Sequence, residues 1–199
     1  MTTTKVSKLT LPTIALSLMT VMTAVAGLNM ALPAIAIDTE ATQTELTWIV
    51  DSYTVIFAGL LLLAGAIGDK FGRQRIMLFG LGMFAIGAAV GFFQTDPEGL
   101  IMARVIMGIG AAAIMPSTLS VITTSFPPEE RGKAIGVWVG VAGGGAVLGL
   151  FATALLLEWY EWNSFFALNF SLAVISFLGT LRVPDSREGK TKLDWIGGL

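Results

Sequence analysis

Two ionisable side chains, Asp51 and Arg104, stand inside long apolar stretches of the sequence. A charge at depth in a membrane costs at least about 2.5–3.5 kcal/mol and therefore needs a partner. Both residues stand near the ends of their stretches, which at ~1.5 Å per helical residue gives them a similar depth. We expect them to face a central cavity and to be coupled, directly or through water. Desolvation raises the pKa of a carboxyl group and a nearby guanidinium lowers it. A carboxylate subject to both effects can bind and release a proton.

Each of these residues also has a structural interpretation. Arg104 can be a hydrogen-bond hub between helices, and Asp51 can be an interfacial residue in water. The sequence contains no histidine and no cysteine, so proton chemistry must use carboxylates, and thiol-bound metals and disulfides are excluded. A membrane enzyme is a distant alternative, because no Ser/His pair, metal cluster or phosphate loop is present. We expect no metal, no cofactor and no nucleic-acid partner.

The composition indicates a membrane protein. The chain is 54% hydrophobic and only 13% charged, with a mean hydropathy of +0.78, whereas soluble domains carry about 25% charged residues. The first apolar stretch follows a basic start and also resembles a secretory signal peptide, but it continues past Ala26 to Pro33. Stretches of about 20 apolar residues cross a bilayer as helices. Six are present, at 9–37, 46–68, 76–95, 100–124, 134–157 and 164–181.

The basic residues predict the orientation in the membrane. Apart from Arg104, every Lys and Arg falls before the first apolar stretch or after the second, fourth or sixth. The positive-inside rule makes that side, and the N-terminus, cytoplasmic. We expect an integral protein of the plasma (inner) membrane in which residues 1–182 form a six-helix bundle. Residues 183–199 are expected to be a cytoplasmic linker and the start of a seventh helix, which indicates a truncated chain that lacks its C-terminal helices.

A charged turn with regularly placed glycines separates the second and third apolar stretches. It covers residues 65–75 and reads Gly-Ala-Ile-Gly-Asp-Lys-Phe-Gly-Arg-Gln-Arg. Glycines allow close approach or a positive φ, and the charges can reach the ends of neighbouring helices. A solvated basic loop that only sets topology is the alternative. The positions singled out here are Gly65, Asp69, Gly72 and Arg73.

This turn resembles the signature loop of the major facilitator superfamily of transporters. Residues 100–112, with Arg104, resemble the fourth-helix motif of that family. Residues 29–33, 48–53 and 193–197 are similar to its fourteen-helix drug:proton antiporter branch. The resemblance implies an all-α polytopic membrane fold, in which this chain is the six-helix N-terminal half plus the start of a seventh helix.

The resemblance also implies a function and roles for particular residues. It implies secondary active transport by alternating access, as proton-coupled efflux of hydrophobic or cationic small molecules, with the proton gradient as the energy source. Arg104 would take part in proton coupling. Asp69 and Arg73 would latch the cytoplasmic helix ends in the outward-facing state, with a partner helix mostly from the missing half.

Three positions depart from the pattern of the antiporter branch. Ala24 stands where an acid is usual, Leu150 where the fifth-helix motif has proline, and Asn163 where an arginine is usual. These departures favour, as alternatives, a transporter of another solute within the same fold. A non-transporting membrane fragment that only binds partner helices is the alternative from a different class.

Polar residues and glycines inside the predicted helices are candidates for a substrate cavity and for helix packing. Polar side chains in a membrane either line a cavity or bond across helices. The cavity candidates are Asn29, Tyr53, Thr118 and Asn169. Small residues let helices approach closely, and at 100° per residue the glycines of the fifth stretch fall on two opposite faces. The packing candidates are Gly108, Gly140, Gly144 and Gly149.

Overall fold

The computed structural model describes residues 9–183 of the 199-residue chain. This range is helical and contains no strand. Helices form because, in lipid, every backbone polar group must be hydrogen-bonded within its own segment. The predicted all-α class is confirmed. The helices are α1 (Thr10–Ala26), α2 (Leu28–Asp38), α3 (Gln43–Phe71), α4 (Arg73–Phe93), α5 (Pro97–Ser125), α6 (Pro128–Leu157) and α7 (Ser164–Thr180).

The described helices correspond in order to the predicted apolar stretches. Helices α3, α4, α5 and α6 are long and apolar enough to cross a membrane, and α1 with α2 forms a further span that is bent by 44°. Helix α7 is a shorter apolar helix of 17 residues. The sequence predicts one continuous first helix, and the structure corrects this by breaking it at Gly27. Glycine is a common position for a helix kink.

The charged turn is shorter than the sequence predicts. Helix α3 continues to Phe71 and α4 begins at Arg73, so Gly72 alone separates them. Its φ of 106° lies in the region that glycine adopts without steric cost. The turn is therefore a sharp corner between two helices, and Asp69 and Arg73 lie on opposite sides of it.

Helix α5 is the centre of the bundle. It packs most extensively against α3 and α4, while α7 lies beside α4, and α1 contacts α6 and α7. The main core is apolar, with Leu81 and Phe84 of α4 against Met107 and Ile114 of α5. Helices α3 and α6 leave much of their surface exposed, in contrast to α5.

Several predictions concern residues outside the described range of 9–183. These are the start of a seventh helix at 193–197, the linker beyond residue 183, and the positions of Lys5 and Lys8. The domain boundary at residue 182 and the orientation in the membrane stay predictions.

Candidate functional site

Arg104 joins three helices at the centre of the bundle. It is 1% exposed. Its Nε donates to the Ile49 carbonyl on α3 at 3.1 Å, and its Nη1 donates to the Ala24 carbonyl on α1 at 3.1 Å. Ala24 lies in the last turn of α1, where carbonyls have no partner within their own helix. The bend at Gly27 therefore creates an acceptor for this buried guanidinium.

Tyr53 completes the site around Arg104. The Cζ atom of Arg104 lies 4.2 Å from the centroid of the Tyr53 ring, a cation–π arrangement. The Tyr53 hydroxyl donates to the Val21 carbonyl on α1 at 3.3 Å. Tyr53 is fully buried, so the prediction that it lines an open cavity is corrected: it belongs to the Arg104 hub.

Asp51 lies apart from Arg104. It is exposed, in a groove of about 460 Å³ between α2 and α3 whose walls include Pro33 and Val50. The predicted direct coupling of the two charges is corrected, because no ion pair or hydrogen bond joins them within residues 9–183. The separation follows from the angles at which side chains leave the axis of α3. Ile49 and Tyr53 share the face of α3 that meets α5, and Asp51, two residues after Ile49, points to the opposite side at 100° per residue.

The remaining cavity candidates differ in their surroundings. Thr118 and Asn169 are fully buried, so the expectation that they line an open cavity is corrected for both. The Thr118 hydroxyl accepts from Trp138 Nε1 at 3.0 Å and donates to the Met115 carbonyl at 2.7 Å. The Asn169 amide donates to the Phe165 carbonyl at 2.9 Å. Such bonds within or between helices are the usual outcome for polar residues in an apolar medium.

Asn29 is the cavity candidate that the structure leaves exposed. Its amide donates to the Val25 and Ala26 carbonyls, each at 3.3 Å. These carbonyls belong to the last turn of α1, so Asn29 bridges the bend between α1 and α2.

The corner between α3 and α4 holds a cluster that we call the turn clamp. Arg73 donates through Nε and Nη2 to Asp69 Oδ1, at 3.2 and 3.0 Å, and through Nη1 to the Ser120 carbonyl of α5 at 3.1 Å. Arg73 is buried while Asp69 is half-exposed. The predicted pairing of Asp69 with Arg73 is present. The carbonyl partner is supplied by α5 of this chain.

Gln74 is a member of the turn clamp that sequence reasoning missed. Its Nε2 donates to the Thr180 carbonyl at 2.9 Å and to the Leu181 carbonyl at 3.4 Å. These carbonyls lie at the end of α7, where the Thr180 carbonyl also accepts from the Val183 amide at 3.0 Å. The only sequence signal was its place directly after Arg73. Adjacent residues of α4 thus bind two different helices, Arg73 the body of α5 and Gln74 the end of α7.

Gly65 and Gly108 differ in how closely a neighbouring helix approaches them. A Cβ at Gly65 would lie 3.7 Å from Pro116 on α5, an ordinary contact. A Cβ at Gly108 would lie 2.8 Å from the Tyr53 carbonyl oxygen, which leaves no room for a side chain. Gly108 therefore lets α5 approach α3 closely beside the Arg104 hub.

The glycines of α6 lie on two faces, of which one packs against α1 within the described chain. A Cβ at Gly149 would lie 2.6 Å from the Thr23 Cα atom on α1. Gly140 and Gly144 have no atom of the described chain within 4 Å of such a Cβ. Gly149 therefore packs against α1, whereas Gly140 and Gly144 face outwards within the described helices.

Comparison with known proteins decides the family. Residues 14–196 match the profile of the Major Facilitator Superfamily. The chain belongs to the major facilitator superfamily. It is an integral membrane protein of the transporter class, which agrees with the apolar helices.

Relatives with curated descriptions include drug-resistance proteins. The chain is 41% identical over 174 residues to puromycin resistance protein pur8 of Streptomyces alboniger, covering 86% of this chain and 35% of that protein. It is 37% identical to multidrug efflux pump LfrA of Mycolicibacterium smegmatis (81% and 32% covered). It is 32% identical to riboflavin transporter RibZ of Clostridioides difficile (79% and 35% covered). The chain spans about a third of the length of these relatives.

Solved structures agree on the fold. The proton:xylose symporter XylE aligns with a TM-score of 0.79 at 16% identity, covering 89% of this chain and 45% of that one. The POT family transporter PepTSo aligns with a TM-score of 0.79 at 16% identity, covering 92% and 39%. The predicted facilitator fold is confirmed.

Proposed function

We propose that the full protein is a secondary active transporter that exports hydrophobic or cationic small molecules in exchange for protons. The family and the resistance proteins among the relatives support export of small molecules. Transport would proceed by alternating access in the plasma membrane, with the N-terminus cytoplasmic and the proton gradient as the energy source. The exposed faces of α3 and α6 would pack against the remaining helices of the full protein.

The observation that carries this proposal is the position of Asp51. Its carboxylate stands on an exposed face of an apolar helix, in a groove whose other lining residues carry no charge. In a chain without histidine, such a carboxylate is the group suited to bind a proton or to attract a cation.

Arg104 supports proton coupling indirectly in this proposal. Its bond to the Ile49 carbonyl fixes α3 two residues before Asp51. It therefore sets the rotation of α3 that presents Asp51 to the groove. The turn clamp of Asp69, Arg73 and Gln74 would hold the other ends of α3 and α4 during the same cycle.

The test uses full-length protein in proteoliposomes with an imposed proton gradient. Puromycin and methyl viologen are suitable probes, because relatives of this chain are described as resistance proteins for each. We expect gradient-driven movement of at least one probe, and its loss in Asp51→Asn with an unchanged melting temperature. Glu98→Gln is the matched control, since Glu98 is an exposed acid at the start of α5 outside the groove. Equal gradient-driven transport by Asp51→Asn would refute the role of Asp51.

A second candidate is transport of another solute by the same fold. The riboflavin transporter among the relatives favours it. So does Ala24, which stands in place of an acid and whose carbonyl is bound by Arg104. Absence of puromycin and methyl viologen transport by folded protein, together with movement of riboflavin, would establish this alternative.

A further inference from the structure

Helix α2 forms one wall of the groove that contains Asp51, but it is held mainly from its other side. The groove, of about 460 Å³, is lined by Leu32 and Pro33 of α2 and by Val50 of α3, among others. Helix α2 contacts α6 more extensively than it contacts α3. The groove is therefore the gap that remains where α2 and α3 are not packed together, and its width depends on where α2 is anchored.

A second face of α2 belongs to the apolar core. Leu28, Ala31 and Ile35 are three or four residues apart, so they share one face of the helix, and all three are buried in the main core. Asp38 follows Ile35 by three residues and continues this face at the end of α2. The carboxylate that ends α2 is therefore on the core side of the helix and is not among the residues that line the groove.

One hydrogen bond ties the end of α2 to the start of α7. Trp162 Nε1 donates to Asp38 Oδ2 at 2.8 Å, a length typical of a bond to a charged acceptor. Trp162 is only 7% exposed, and its ring lies edge-on to Phe166 of α7 with the centroids 6.3 Å apart. The donor is thus held by the core, whereas the acceptor stands on the exposed end of α2. We call this pair the α2 clasp.

The short connection between α2 and α3 transmits the position of the clasp. It consists of residues 39–42 and is fixed at both ends. The Thr39 hydroxyl donates to the Ile35 carbonyl at 2.7 Å, and the Thr42 amide donates to Glu45 Oε2 at 2.7 Å in a capping box. At its other end α2 joins α1 through the 44° bend at Gly27. A pivot of α2 about this bend changes the width of the groove, and the clasp opposes that movement.

We propose that Asp38 and Trp162 are positioning residues for the groove at Asp51. This inference rests on the proposed role of Asp51 in transport. The clasp holds α2 at the distance from α3 at which the groove binds its small molecule. Without the clasp, α2 also occupies positions about Gly27 in which the groove is too wide or too narrow. Apparent affinity then falls in proportion to the fraction of molecules in the binding position.

The first test measures the groove without any transport. Spin labels are attached to the pair Ala36→Cys, Thr47→Cys, which line the groove on α2 and α3. The 199-residue chain contains no cysteine, and any cysteine elsewhere in the full-length protein is replaced by serine. We expect electron paramagnetic resonance to show a broader distribution of label–label distances in Trp162→Phe and in Asp38→Ala. Unchanged distributions in both variants would overturn the proposal.

Two control variants separate the hydrogen bond from a general effect of charge. Asp38→Asn keeps a carbonyl oxygen that can accept from Trp162 Nε1, and it should preserve the wild-type distribution. Glu40→Gln removes another exposed acid two residues after Asp38 and should also leave the distribution unchanged. Equal broadening in Glu40→Gln and Asp38→Ala would show that lost charge is responsible and would refute the clasp. Since Asp38 is exposed, Asp38→Ala tests the clasp even where Trp162→Phe lowers the melting temperature.

The second test links the clasp to transport in proteoliposomes, with puromycin and methyl viologen as probes. We expect KM to rise about twofold to tenfold in Asp38→Ala and Trp162→Phe, the size expected from losing one hydrogen bond, with little change in kcat. Asp38→Asn should keep the wild-type KM. An unchanged KM in variants whose distances broaden would overturn the link between clasp and groove. If the wild type transports neither probe, the proposed function is contradicted, while the distances still decide whether the clasp positions α2.

Discussion

Helices α3 and α6 each have a packed edge and an open face, and the two sides differ in what their residues do. On the packed side, Ile49 of α3 accepts from Arg104, and Gly149 of α6 lies against Thr23. On the open side, Asp51 is exposed, and a Cβ at Gly140 would meet no described atom within 4 Å. On α6 the same residue type, glycine, therefore has different roles on the two sides. Packed residues hold the bundle together, and open residues are available to a ligand or to another helix.

The largest effect on stability should come from Arg104→Ala. This variant removes two charge-assisted hydrogen bonds and the contact with the Tyr53 ring. We expect the free energy of unfolding to fall by about 3 kcal/mol. Thermal unfolding of full-length protein in detergent measures this. Arg182→Ala is the control, because Arg182 is exposed, and its melting temperature should stay near that of the wild type. Equal melting temperatures for both variants would contradict the packed role of Arg104.

The next largest effect on stability is expected from a comparison of two glycine variants of α6. Gly149→Ala places a Cβ 2.6 Å from the Thr23 Cα atom, so backbone must move, at a cost of about 1–3 kcal/mol. Gly140→Ala meets no described atom, and the better helix propensity of alanine should leave stability equal or up to about 1 kcal/mol higher. The same unfolding measurement applies. If Gly140→Ala destabilises the full protein as much as Gly149→Ala, another helix packs on the open face as closely as α1 does on the other.

The smallest effect concerns Gln74 in the turn clamp. Gln74→Leu keeps the volume but removes the donor to the Thr180 carbonyl, and should lower the free energy of unfolding by about 1 kcal/mol. Gln74→Lys keeps a donor and should restore most of that loss. Hydrogen exchange of the last turn of α7 gives a local measurement, in which Gln74→Leu should exchange faster. Unchanged exchange there would show that Gln74 does not hold the end of α7.

The sequence by itself determined the class of protein and the order of its helices. Long uncharged stretches form membrane helices whatever their neighbours are, because backbone groups in lipid have no other partners. Local features were also readable. Asp96 accepts from the Gly99 amide at the start of α5, as a capping residue before proline should. Asp69 and Arg73 are four residues apart and meet across the corner at Gly72.

Tertiary structure alone decided which face of each helix is packed. Helical periodicity gives the angle between Ile49 and Asp51, or between Gly145 and Gly149, but it does not say which direction a neighbour occupies. For this reason the sequence paired Asp51 with Arg104 at similar depth, whereas the rotation of α3 separates them. The long-range acceptors of Arg104, Arg73 and Gln74 are backbone carbonyls. Every residue carries a carbonyl, so residue types cannot reveal which one is a partner until the helices are packed together in space.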